Sequence, residues 1–107
     1  MVITLPRNLR CKAHSRLAVT SAAVVTLEAA KILHATYGPA QAVLVTYEDQ
    51  PMRRTIDGTT PTTGADGVGA VKQDGDAEYI QGGGCAQNLK MIAVGTSGVV
   101  QVDYFYE

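Results

Sequence analysis

The chain predicts an all-β fold: a small β-sandwich or jelly-roll-like domain with at most one short helical segment. Three observations predict it. Short apolar runs with period-two alternation recur through the second half of the sequence. Gly, Pro, Asp and Thr clusters separate them at near-regular spacing, as in sandwiches and barrels. The 107 residues, 46% of them apolar, suit one domain with a modest core.

Residues 1–14 carry Pro6 and three cations with little periodicity. They read as an N-terminal arm that frays or orders on a neighbouring subunit. Residues 15–107 read as the sandwich. Arg16–Thr20 alternates as a short strand. Val24–Leu27 is β-prone. A helical turn is expected from Glu28 to Leu33, since Val25, Ala29, Ile32 and Leu33 share one helical face and Glu28 pairs with Lys31. Tyr37-Gly38-Pro39 breaks the chain. Gln41–Glu48 sets Val43, Val45 and Tyr47 against Ala42, Leu44 and Thr46, apolar on both faces as in a sandwich interior. Pro51 limits the start of a strand over Met52–Ile56. Residues 57–76 form a long turn-rich loop interrupted by Val68–Val71. Ala77–Gln81 is a strand, and Gly82–Gly84 is a turn with freedom for positive φ. Leu89–Val94 and Val99–Tyr106 are the last strands. In the final one Val100, Val102, Tyr104 and Tyr106 share a face.

Composition narrows the function classes. Nine basic and ten acidic residues leave a formal net charge of −1 with no basic run, so no nucleic-acid partner is expected. No window reaches the length of a membrane span, and no membrane partner is expected. The first residues make a poor signal peptide. Cys11 and Cys85 read as unpaired thiols, and without a Cys-x-x-Cys pair they do not suggest zinc.

Catalytic chemistry is hard to assemble. Neither His14 nor His34 stands beside a nucleophile and an orienting group. Asp57, Asp66, Asp74 and Asp76 lie in the long loop, but their spacing departs from a calcium loop, and Asp-Gly is chiefly a turn former. Gly82–Gly84 leads into a strand instead of the helix of a phosphate loop. No catalytic, cofactor or metal residues are expected, and the chain reads as no enzyme. Tyr47, Tyr104 and Tyr106 are candidate interface residues. A sugar-stacking platform would use Tyr47, Tyr79 or Tyr104.

The most distinctive run is Met52-Arg53-Arg54-Thr55-Ile56-Asp57-Gly58-Thr59-Thr60-Pro61-Thr62. In it Arg54, Asp57, Gly58, Thr59 and Pro61 read as a structural corner: Asp57 or Thr59 takes backbone hydrogen bonds and Pro61 stiffens the chain. With its flanks, "LVTYED" before it, then "DGD", "LKMIAVG" and the closing "VVQVDYFYE", the run resembles small structural proteins of tailed bacteriophages. These carry an "IRYTLDGTTPT" motif, followed by a glycine and a "GD", and end on an apolar strand. The resemblance covers roughly residues 40–107, and Arg54 takes the place usually held by an aromatic residue. It implies a virion protein synthesised in the host cytoplasm and carried on the capsid surface. There it would decorate or cement the head, with the major capsid protein and further copies of itself, as dimer or trimer, for partners. A tail, baseplate or head-fibre component stays open. So does an immunoglobulin-like carbohydrate-binding module, because a similar corner occurs in modules of bacterial chitin- and hexosamine-processing enzymes.

Overall fold

The computed structural model describes residues 9–64 and 66–107. The elements are β1 (Arg10–Thr20), β2 (Val25–Thr26), α1 (Ala29–Ile32), β3 (Leu33–His34), β4 (Gly38–Pro39), β5 (Ala42–Glu48), β6 (Met52–Thr55), β7 (Ala70–Lys72), β8 (Ala77–Gln81), α2 (Gly83–Asn88), β9 (Lys90–Ala93) and β10 (Ser97–Tyr106). Two four-stranded sheets, ordered β1-β10-β5-β8 and β2-β9-β6-β7, make the sandwich. Every pairing is antiparallel. β3 and β4 form a separate hairpin.

Alternation builds the core. Val100, Val102, Tyr104 and Tyr106 of β10 and Val43, Val45 and Tyr47 of β5 point inward from one sheet, each at most 1% exposed. Met52, Met91 and Ala93 answer from the other, all fully buried. β5 and β10 are central strands, flanked on both sides, which is why their apolar pattern is the clearest in the sequence. Consecutive strands mostly change sheets: β5 leads to β6, β7 to β8, and β9 to β10. The β5–β6 turn needs a left-handed residue, and Asp49 takes φ +76°. Its N–H donates to Asp74 Oδ1 at 3.0 Å, tying the turn to the β7–β8 loop.

Several expectations are corrected. The arm gives up residues 10–14 to β1, which pairs with β10 from Arg10↔Tyr106 to Thr20↔Ser97. Arg16–Thr20 was legible as a strand, but the first part of β1 is hidden in the sequence because a register irregularity at Cys11/Ala13 interrupts its alternation. Most of its side chains also face solvent, with only Ser15 and Val19 buried. The rest of the expected arm, residues 1–8, lies outside the described residues. Two short helices stand where at most one was expected, because the Gly82–Gly84 turn continues into α2. Glycine has poor helix propensity; burial of Ala86, together with Leu89 just beyond the helix, holds that segment in place. Tyr37-Gly38-Pro39 runs from the turn of the β3–β4 hairpin into β4, where Gly38 at φ +78° pairs with His34 and Pro39 with Leu33. Tyr47, Tyr104 and Tyr106 are core residues and offer no interface surface.

Candidate functional site

The corner begins at the end of β6. Thr55 is 7% exposed, and its hydroxyl donates to the carbonyl of Thr59. The N–H of Thr59 donates to Asp57 Oδ1 at 3.0 Å, closing an Asx turn over Gly58 at φ +89°. That N–H holds the Asp57 carboxyl below its ordinary value. Pro61 is fully buried and pins the chain as it leaves the turn. Farther on, Thr62 and Val68 close the loop with two bonds: Thr62 N–H to Val68 O at 3.1 Å and Val68 N–H to Thr62 Oγ1 at 2.9 Å. Arg53 reaches across it, donating to the carbonyls of Gly69 at 3.0 Å and Gly64 at 3.2 Å. So Asp57, Gly58, Thr59 and Pro61 do come together as one corner. Arg54, grouped with them from the sequence, points elsewhere.

Arg54 belongs to a lock between the sheets. Its guanidinium meets Glu78 of β8 twice, Nε to Oε2 at 2.9 Å and Nη2 to Oε1 at 2.5 Å. Tyr47 donates to Glu78 Oε2 at 2.7 Å, and Lys72 of β7 stands 3.6 Å from Oε1. Burial pushes the Glu78 carboxyl up, but donation from Arg54 and Tyr47 and both nearby cations outweigh it and hold the group below its ordinary value. Burial first, and then the Glu78 carboxylate, push the Tyr47 phenol well above its usual range, so it stays a donor.

The opposite open side carries a second lock. Ser15 of β1, 2% exposed, lies 2.9 Å from Glu28 Oε1 and 3.1 Å from the Tyr104 hydroxyl. Lys31 of α1 contacts Glu28 Oε2 at 3.4 Å and Ser15 Oγ at 3.3 Å, and donates to the carbonyl of His14. A hydroxyl, an amine and a carboxylate so placed look like nucleophile machinery. Yet Ser15 is shut inside at 2% exposure, out of reach of a substrate, and the lysine is taken up by three acceptors of the fold itself. On the outer face His14 sets Nδ1 2.6 Å from Asp103 Oδ1 and Nε2 2.7 Å from Gln101 Oε1. Asp103 and then Gln101, accepting from the ring, raise its pKa. Of the two locks only the Glu28–Lys31 pair, three residues apart, was visible in the sequence. The other partners lie farther apart and meet only through the fold.

The remaining feature is an exposed hairpin. His34, Tyr37 and Tyr106 stack in a triangle with ring centroids 4.5 to 5.7 Å apart. His34 Nδ1 also accepts from the N–H of Thr36 at 3.0 Å. This stiffens the hairpin that presents Leu33, at 68% exposure the most exposed large apolar residue described. Beside Leu33 runs a groove of about 370 Å³ lined by Thr26, Leu27, Ala29, Ile32, Leu33 and Gln87. A second hollow of about 220 Å³ adds Pro39 and Ala40.

Among the described residues, no three His, Cys, Asp or Glu side chains converge as a metal cluster. Asp57, Asp74 and Asp76 each accept a backbone N–H in a turn instead. Cys11 and Cys85 are free thiols. Tyr47 and Tyr104, two of the three residues proposed for a sugar platform, are fully buried. No known protein family, curated protein or solved structure matches the chain.

Proposed function

We propose that this chain is a structural protein of a tailed-bacteriophage virion, a decoration or cement protein that binds across joints between major capsid protein subunits and stabilises the head. The corner carries the reading: Asp57, Gly58, Thr59 and Pro61, the residues of the sequence resemblance, are the ones that lock the end of β6. A cement protein needs a rigid body more than a reactive centre. Each contact adds buried area across a joint, and many copies on one shell act together.

The sheet edges support contact through faces and loops. β7 and β8, at one side, turn Lys72 and Glu78 inward toward each other. β2 has two residues, and Lys31 occupies a carbonyl of β1 at the other side. Inward charges and short edge strands discourage strand addition at β2, β7 and β8, and at the longer β1 edge Lys31 takes up the carbonyl of His14. The reading assigns the chain no catalysis and no cofactor.

Gold-labelled antibody against the chain, applied to intact phage particles from the same source, tests this. Label over the heads supports the proposal. Label confined to tails, or particles without the chain, overturns it.

A further inference from the structure

We infer that the hollow lined by Arg10, Lys12, Tyr37, Tyr106 and Glu107 binds a small phosphate monoester carried on a flat ring. It encloses about 280 Å³, at the small end of ligand pockets, which suits one ring with one anionic group.

The first part of β1 brings the two cations together. Arg10 pairs with Tyr106 and so stands on its face of the sheet. Lys12 is the extra residue of the irregularity between Cys11 and Ala13, with no partner on β10. A bulge re-aims a side chain, and here Lys12 joins Arg10 at the hollow. Both residues are exposed. Among the described residues no carboxylate pairs with either of them, and residues 1–8 and 65 contain no acid. The fold therefore leaves both charges open to a ligand. Together they outnumber the Glu107 carboxylate at the rim.

The tyrosines supply the ring site. Tyr106, 1% exposed, forms the floor, and its hydroxyl donates to the carbonyl of Lys31. Tyr37 is 43% exposed although it is held by His34 and Tyr106, with ring centroids 4.5 and 5.5 Å away. A braced ring with open surface is a platform for stacking. The guanidinium fork and the ammonium both suit phosphate oxygens, and a monoester approaches a dianion at neutral pH. Because the cations stand in solvent, binding is weak, with a dissociation constant on the order of 1 mM.

Heteronuclear NMR titration of the full chain with phenyl phosphate, at about pH 7.5 and constant ionic strength, tests the inference. Amide shifts saturate and centre on Arg10, Lys12, Tyr37 and Glu107. Inorganic phosphate binds the same place about 2–10-fold more weakly, for want of the ring, and Tyr37→Leu removes that difference. Combining Arg10→Gln with Lys12→Gln weakens binding by about tenfold or more, while Arg16→Gln, outside the hollow, leaves it unchanged. Glu107→Gln tightens it about 2–5-fold. The same spectra show each variant folded. Shifts that climb without saturating, or that follow Arg16 and Lys90 as closely as Arg10 and Lys12, mark an adventitious ion only and overturn the inference. So does equal binding of phenol, or a double variant that binds like wild type. No virion is involved, so this result is separate from that of the head-labelling experiment.

Discussion

Glu78 accepts from two donors, Arg54 and Tyr47, and faces a second cation, Lys72, and that makes it the most consequential polar side chain in the sandwich. Glu78→Gln removes the charge but keeps the shape, and should lower the unfolding free energy in urea by roughly 1–3 kcal/mol. Replacing Arg54 and Glu78 together by Met and Leu should cost less than the two single changes added, since no buried charge is then left alone. The two titrating groups work in opposite directions with pH. Glu78 is depressed below its ordinary 4.5, so its contribution is present above that pH and is lost as pH falls through the folded value. His14 is raised above 6.5, so its contribution is complete below that pH and fades as pH rises through the folded value. Urea midpoints of wild type and His14→Gln should therefore differ most in mild acid and converge in alkali. Few of these partnerships were legible beforehand. Residues 54 and 78 are both charged and unremarkable in sequence; only the stacking of β6 against β8 brings them together.

Strands β5 and β10 and the corner were legible, because local rules decide them. Val43, Val45 and Tyr47, and Val100 to Tyr106, alternate over enough positions to fix a face, and the Asp57-Gly58 turn carries its own chemistry. β7 was not. Its only local signal is the Val68–Val71 interruption of the loop, too short to mark a strand; it becomes one because β6 offers a pairing edge, with Arg53 and the Thr62–Val68 bonds folding the loop back. That clasp makes a sharp prediction. A Cβ at Gly67 would stand 2.4 Å from the carbonyl of Thr62 and 2.5 Å from Arg53 Nε. Gly67→Ala should therefore open the loop, costing about 1–3 kcal/mol, and speed amide exchange at Val68. Gly84→Ala is the control. Nothing lies within 4 Å of its added methyl, and the residue is helical, so that change should be neutral or mildly stabilising. α2 escaped the sequence reading for the same reason: its glycines argue against a helix, and the burial of Ala86 and Leu89 against the core decides otherwise.

Taken as one body, the domain is a sandwich closed on both open sides by polar locks, each hung on a buried tyrosine, Tyr47 on one side and Tyr104 on the other. Tyr104→Phe should loosen the second lock and cost about 1 kcal/mol in urea denaturation, with the larger effect on exchange in β1 than in β5. Tyr47 and Tyr104, named from the sequence as interface candidates, are thus what joins the sheets, and the most exposed large apolar residue described, Leu33, lies on the β3–β4 hairpin. A rigid body of this kind acts by what it holds together. Cryo-electron microscopy of intact particles is the most direct measurement. The account predicts density for the whole sandwich on the outer surface of the head, over joints between major capsid subunits, with no capsid strand added to β1 or β8. Density at the tail tip alone, or a capsid strand continuing either sheet, would contradict it.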